Sequence, residues 1–326
     1  MFALALALVF PAPAVPNAER VRAAVSAALP PLRAGATGHA EQKACFACHN
    51  QAPALLAFRA AKDRGFDVPA NLFTSQAEHV AAFAETNRAK FKDGRGTGGA
   101  AATAGYLLLT LELAGHKADE NTDAVVGYLL NTQADRDHWR TTSNRPPTEA
   151  SDFTTTYLAL RALRVWSPHA KLDAAKVNAR TEKARAWLVK ATAKDAEDRA
   201  FRLLALKEAG AEPRDVQSAA WELLKAQRAD GGWAQLDGGT SDAYATGSAL
   251  VALHDAGGLK PDVPAYRAGA AFLLGAQKAD GSWFVKSRSK PFQPYYESGF
   301  PYEKDQFISA AASGWAAAAL ARTVGK

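Results

Sequence analysis

Gln227-Arg-Ala-Asp-Gly-Gly-Trp233 and Gln277-Lys-Ala-Asp-Gly-Ser-Trp283 are two copies of one turn, and Gln133-Ala-Asp-Arg-Asp-His-Trp139 is a third; each places Trp six residues after Gln. Each follows an apolar stretch that closes on Leu-Leu, at residues 129–130, 223–224 and 273–274. Successive Trp residues lie 94 and 50 residues apart, two periods near 47 and then one. A degenerate copy is therefore expected between the first two, and Ala184-Arg-Ala-Trp-Leu-Val-Lys190 running into residues 198–206 supplies it. Beyond each turn an acid is followed by a hydroxyl four positions on: Asp152 with Thr156, Asp242 with Thr246, Asp305 with Ser309. The stretches that follow, 157–163, 247–253 and 309–320, are small and apolar and suit helices buried on most sides. Their partners, such as 215–227, carry charge on one face.

The pattern predicts six helix pairs: 17–29 with 42–65, 74–91 with 98–115, 120–132 with 152–166, 172–193 with 196–210, 213–227 with 242–256, and 264–277 with 306–323. A pair of this kind buries its apolar face only against neighbouring pairs, so closing the array into a double ring removes the exposed ends. The expected fold is all-α, an (α/α)6 toroid of inner and outer helices. Asp152, Asp242 and Asp305 read as helix N-caps, and the three turn Trp residues read as core that ties successive turns together.

Composition agrees. The 326 residues are 48% hydrophobic and 22% charged, with Ala dominating, which excludes disorder, collagen and coiled coil. The formal charge of +6 is spread along the chain and does not point to nucleic acid. Residues 2–10 are apolar and Ala12-Pro13-Ala14 offers a small-x-small cleavage site, so residues 1–14 read as a secretory signal peptide, although a basic leading region is missing. No other segment reaches the roughly 20 apolar residues of a membrane span.

The only two cysteines are Cys45 and Cys48, followed at once by His49: C-x-x-C-H. Two thiols on one helical turn can each form a thioether with a haem vinyl group, and the adjacent imidazole then serves as proximal iron ligand. Half a zinc site, a redox C-x-x-C pair and a lone disulfide are the competing readings. Zinc needs further ligands from elsewhere, and a thioredoxin-like pair needs a βαβ setting that a helical chain lacks. One covalent haem c is the cofactor this reading expects. Its attachment takes place outside the cytoplasm in bacteria, which with the signal-like N-terminus points to a periplasmic or otherwise exported protein.

The Gln…Trp turns resemble the QW repeats of the squalene cyclase and protein prenyltransferase toroid family over roughly residues 70–326. Taken with C-x-x-C-H, the stretches 145–152 and 292–301 are similar to those of bacterial squalene-cyclase-like proteins with an N-terminal haem c motif. The domain reading that follows is a signal peptide at 1–14, N-terminal helices bearing the haem motif at 15–70, and toroid repeats at 71–326, with 15–70 completing one ring. The resemblance implies fold more than activity. The cyclases' D-x-D-D acid cluster has no match here, Asp135-Arg-Asp-His138 being the nearest. The prenyltransferases' zinc ligands have no free Cys to match, so neither activity is expected.

Cys45–His49 opens the inner helix of pair one, so the haem is expected at one mouth of the toroid, among the connections 139–151, 234–241 and 284–304. These carry Arg140, Arg145, Glu149, Lys286, Arg288, Tyr295, Tyr296, Glu297 and Tyr302. Arg145, Glu149 and Tyr302 are the candidate haem-pocket residues. Met1 is the only Met, which argues against His/Met ligation. His39, His79 and His138 are candidates for a distal ligand, with His138 preferred, and an open or water-bound iron is the alternative. His116, His169 and His254 read as surface or helix-end residues. Three functions follow: single-electron transfer to a redox partner protein; a peroxidase- or oxygenase-like haem enzyme acting on a small apolar molecule in the toroid cavity; and a non-catalytic ligand-binding toroid.

Overall fold

The computed structural model describes residues 17–46, 48–290 and 294–325, with the side chains of Cys48 and His49 outside the description. The expected signal peptide lies outside the described residues. Twelve α-helices follow in order: α1 (Ala18–Gln42), α2 (Cys48–Lys62), α3 (Ala70–Lys92), α4 (Ala100–Ala114), α5 (Glu120–Asn131) and α6 (Asp152–Trp166). They continue with α7 (Ala174–Lys190), α8 (Ala196–Glu208), α9 (Pro213–Lys225), α10 (Ala243–Asp255), α11 (Pro264–Ala276) and α12 (Gln306–Ala321). The even-numbered helices form the inner ring: each packs on the next, and α12 packs on α2 to close it. The odd-numbered helices each pack outside their own partner. This is the all-α double ring that the repeats predict.

Small residues make the inner ring possible. An ideal Cβ on Gly314 of α12 would stand 2.5 Å from the Pro53 carbonyl oxygen of α2, and one on Gly105 of α4 would stand 2.5 Å from Leu158 Cβ of α6. Gly247 of α10 is as tightly set against Trp315 and Ala316. From Ile308 to Ala321 every residue of α12 is buried, which an Ala-rich helix tolerates because it has neighbours on all sides.

The turns do what their repetition implies. The indole Nε1 of Trp139, Trp233 and Trp283 donates to the carbonyls of Leu129, Leu223 and Leu273 at 2.8, 2.8 and 2.7 Å. These are the first Leu of each Leu-Leu pair. The backbone N–H of Trp139 and Trp233 donates to Thr156 and Thr246 at 3.3 and 2.9 Å. In the third copy the partner is Ser313 at 2.9 Å, while Ser309 takes the N–H of Val285 at 3.0 Å. The pairing of Asp305 with Ser309 is thus one helical turn out of register, because α12 starts a turn earlier than its counterparts. In the degenerate copy no indole fills this place, and Arg202 Nε donates to the Leu188 carbonyl at 2.8 Å instead.

Two of the Gln residues link neighbouring pairs, while among the described residues the Gln133 side chain bonds only to Arg140 of its own turn. Gln227 Nε2 donates to its own turn at Gly231 and to Ala265 of α11 at 2.7 Å. Gln277 Nε2 does the same to Gly281 and, at 2.8 Å, to Ala24 of α1, joining the last repeat to the first helix.

Two expectations need correction. Only Asp242 caps its helix, accepting from Ala245 N at 3.0 Å. The cap of α6 is Ser151, and Asp152, one residue further in, accepts Thr141 N at 2.9 Å. Asp305 occupies the cap position of α12 but makes no cap bond and instead accepts Ser287 N at 2.8 Å. In both cases the carboxylate fastens a mouth connection. Helix α1, expected to end at 29 before Pro30-Pro31, runs on to Gln42. Its buried stripe of Val21, Ala24, Ala28, Leu32, Gly35 and His39 is unbroken across the prolines, so packing outweighs the lost backbone bonds.

Candidate functional site

All six inner helices run in the same direction, so their N-termini, with their partial positive charge, share one mouth. The opposite end is sealed by ion pairs: Arg161 Nε to Glu112 at 2.8 Å, Arg322 to Asp255 at 2.6 Å, and Arg164 to Glu208. Between the ends, Trp315 and its neighbours Phe201, Tyr157, Leu56 and Val251 fill the axis and leave a cavity of only about 70 Å³. Ligand pockets for small organic molecules start near 300 Å³. This axial cavity falls well below that size.

The second half of α1 builds the first wall. Gly35 and Gly38 let it lie against residues 298–300, an ideal Cβ on Gly38 standing 2.3 Å from the Ser298 carbonyl oxygen. This contact carries His39 beneath the C-x-x-C-H loop. His39 Nε2 donates to the Cys45 carbonyl at 2.7 Å, so Nδ1 is the ring's acceptor and takes the Tyr296 hydroxyl at 2.5 Å. Burial holds that hydroxyl protonated, its pKa pushed well above the ordinary tyrosine value. His79 of α3 adds a second, longer bond to the same carbonyl at 3.3 Å. Burial lowers the His79 pKa despite that bond.

On the other side, Phe46 is buried against Phe83 at 5.6 Å between centroids. The loop is thus held by its carbonyl and its aromatic residue while the Cys45 thiol stays exposed and unpaired. One residue past His49, Asn50 is 2% exposed, yet among the described residues neither of its amide atoms has a hydrogen-bond partner. A buried orphan of this kind is costly unless something absent from the chain satisfies it.

The mouth connections converge as expected, but not with all the expected residues. Arg145 and Glu149 form an ion pair across a backbone bridge with bonds of 3.2 and 3.0 Å, which folds the 145–149 turn. Ser289 Oγ of the second connection donates to Pro146 O at 3.3 Å, and Arg288 donates to Gln235 at 3.0 Å. Between these connections and the first turn of α12 lies a pocket of about 380 Å³, lined by Arg145, Glu149, Lys286, Lys290, Lys304 and Phe307 among others. Phe307 packs on Tyr296 at 5.4 Å, so this pocket adjoins the wall that holds Cys45.

Tyr302 lies elsewhere: its hydroxyl meets Ser282 at 2.6 Å and its ring meets Phe284, in the third Gln…Trp turn. His138 also points away from the loop. Its ring stacks on Trp187 of the outer helix α7 at 3.9 Å, and its Nε2 lies 3.3 Å from Asp152. The preference for His138 rested on its place in a mouth turn; the structure gives that ring a packing role. The residues that do gather at the loop, His39, His79 and Tyr296, are separated by long stretches of chain, and only their residue types were a signal.

Glu197, the second residue of α8, is buried with Thr154 donating to its Oε1 at 2.7 Å. Burial, with Asp195 and Asp198 nearby, drives its pKa well above the ordinary carboxyl value. It lies on the inner ring and faces Tyr244.

No protein-family model matches this chain, and no curated protein does. Solved structures do. The fold is that of type II terpene cyclase-like toroids. The enzyme MstE from Scytonema, described as a type II terpene cyclase, superposes in its apo form with a TM-score of 0.55 at 13% identity, over 95% of this chain and 99% of that one. A variant of the same enzyme with geranylgeranyl dihydroxybenzoate, named as its substrate, gives 0.55 at 13% identity over 95% and 98%. Another variant, holding the product merosterolic acid A, gives 0.53 at 14% identity over 94% and 99%. At this identity the likeness speaks for the fold alone. Among the described residues no helix is long and apolar enough to cross a membrane.

Proposed function

We propose that this chain is an exported monohaem c-type cytochrome-like protein on a terpene-cyclase-like toroid, and that it passes single electrons to a redox partner protein. The observation that carries the reading is the placement of the only two cysteines, Cys45 and Cys48, with His49 at the start of an inner helix at the open mouth. The surroundings fit a haem: an exposed thiol, a buried amide without partners, and an adjoining pocket rimmed by cations.

Cys45 and Cys48 would hold the group by adding their thiols across its vinyl groups. In each addition a sulfur–carbon bond forms, the thiol proton passes to the other vinyl carbon, and no oxidant or reductant is consumed. His49 would be the proximal ligand, and Arg145 with Glu149 would shape the rim. Bound haem supplies a one-electron iron couple. The chain's own contribution is to fix the loop through His39, His79 and Phe46 and to leave its open edge toward solvent, where a partner can approach. His39, His79 and His138 each already hold a structural hydrogen bond. The small axial cavity favours this reading over an enzyme acting on an apolar molecule inside the ring. The apolar residues 2–10 and the extracytoplasmic chemistry of haem c attachment support a periplasmic location.

The test is to produce the chain in a host with haem c attachment machinery, extract it with acid acetone, and record its mass and pyridine haemochrome spectrum. One covalent haem is expected, and it should vanish in Cys45→Ala/Cys48→Ala. A polypeptide of unmodified mass with no haemochrome band overturns the proposal.

A further inference from the structure

The mouth pocket has a charge pattern that the attachment motif does not account for. Four cationic residues line it, Arg145, Lys286, Lys290 and Lys304, against two acids, Glu149 and Asp305. Arg145 and Glu149 satisfy each other, and Asp305 accepts Ser287 N at 2.8 Å. The three lysines are exposed, and among the described residues none of their ammonium groups meets a carboxylate. The rest of the wall is apolar or flat: Pro146, Pro294, Tyr295, Phe307 and Ile308. Unpaired like charges gathered on one small pocket repel one another unless a counter-charge joins them, and the inner-helix N-termini add to the positive potential. A pocket of this make complements a flat apolar body that carries more than one anionic group.

Resting on the haem reading, we infer that Lys286, Lys290 and Lys304 form a carboxylate clamp for the two propionates of the porphyrin, seating its polar edge between the two mouth connections. The clamp fixes the orientation of a ring tethered at its vinyl edge, because the Cys45 loop and the pocket adjoin through Tyr296 and Phe307. Thioethers hold one edge and ammonium groups the other.

The test uses the full chain made without attachment machinery, so that no thioether forms, and follows porphyrin fluorescence. Protoporphyrin IX, with two carboxylates and no iron, is expected to bind about tenfold more tightly than its dimethyl ester. The triple variant Lys286→Gln/Lys290→Gln/Lys304→Gln should lose that preference while its helical circular dichroism and melting temperature stay as in the parent, since all three side chains are exposed. Equal affinity for acid and ester, a preference that survives in the triple variant, or displacement of the porphyrin by equimolar laurate, a single carboxylate on a linear chain, overturns the clamp. The two readings fail separately. A chain that never acquires covalent haem but still prefers the diacid sinks the haem c reading and keeps the clamp; thioether haem without acid preference does the reverse.

Discussion

Replacing Gly281 by Ala tests how the ring closes. Gly281 has φ +85°, and an ideal Cβ there would stand 2.0 Å from the Ala27 carbonyl oxygen of α1. That oxygen is available because its helical partner would be the N–H of residue 31, which is Pro31. Two penalties therefore add. Holding Ala in the left-handed region costs about 1–2 kcal/mol, and pushing the turn off α1 costs about 1–3 kcal/mol as overpacking. The sum is about 2–5 kcal/mol, a large share of the stability of an ordinary domain.

Gly65 is the internal control: its φ is +79°, and nothing lies within 4 Å of its ideal Cβ. Gly65→Ala should thus cost about 1–2 kcal/mol, the conformational part alone. The assay is equilibrium unfolding in urea, followed by circular dichroism, with the m-values of both variants compared with the parent. Equal destabilisation by the two substitutions would refute the reasoning, since it would mean that the contact of the last turn with the first helix is not tight.

Other outcomes follow from the site and the core. His39→Phe should take from the Tyr296 hydroxyl its acceptor and leave the Cys45 carbonyl only the longer bond from His79, costing about 1–3 kcal/mol and lowering the yield of covalent haem. Normal stability and yield would remove His39 from its positioning role. Glu197 titrates above its unfolded value because it is buried, so ionisation favours the unfolded chain as pH rises past about 4.3, by about 1.4 kcal/mol per unit until the raised folded value is reached. Glu197→Gln should therefore match the parent near pH 4 and exceed it in stability at pH 7–8; a pH-independent difference would contradict this. Asp255 behaves oppositely: despite its partial burial, His254 and Arg322 lower its pKa, so its contribution exists above the ordinary carboxyl value and is lost as pH falls below about 4. With its side chain 37% exposed, Asp255→Asn should cost about 1 kcal/mol at pH 7 and progressively less in acid, read from urea midpoints.

The repeats made the double ring legible because each Gln…Trp turn is a local device. Its Leu carbonyl lies 10 residues before the Trp and its hydroxyl 13 to 30 residues after it, so their spacing survives in the linear sequence. The C-x-x-C-H spacing at Cys45–His49 is visible in the sequence for the same reason, its three residues lying within five positions. The mouth was less so. Pro30-Pro31 reads locally as a helix end, but a stripe of buried residues carries α1 through it, and only that continuation brings His39 to Cys45. Tyr302 lies in a mouth connection and His138 in the turn that leads into another, yet side-chain direction sends Tyr302 to Ser282 and His138 to Trp187.

What the chain declares on its own is therefore the number of helix pairs and the turns within them, since these depend on contacts between near neighbours in sequence; closure follows from the need of the end pairs to bury their faces, although the contacts that make it join the two ends of the chain. Which tyrosine and which histidines brace the Cys45 loop, and how the 284–304 connection meets the 145–149 turn, were decided by packing between segments from six to more than two hundred residues apart. Such contacts depend on the relative position of whole helices, and no local spacing encodes that.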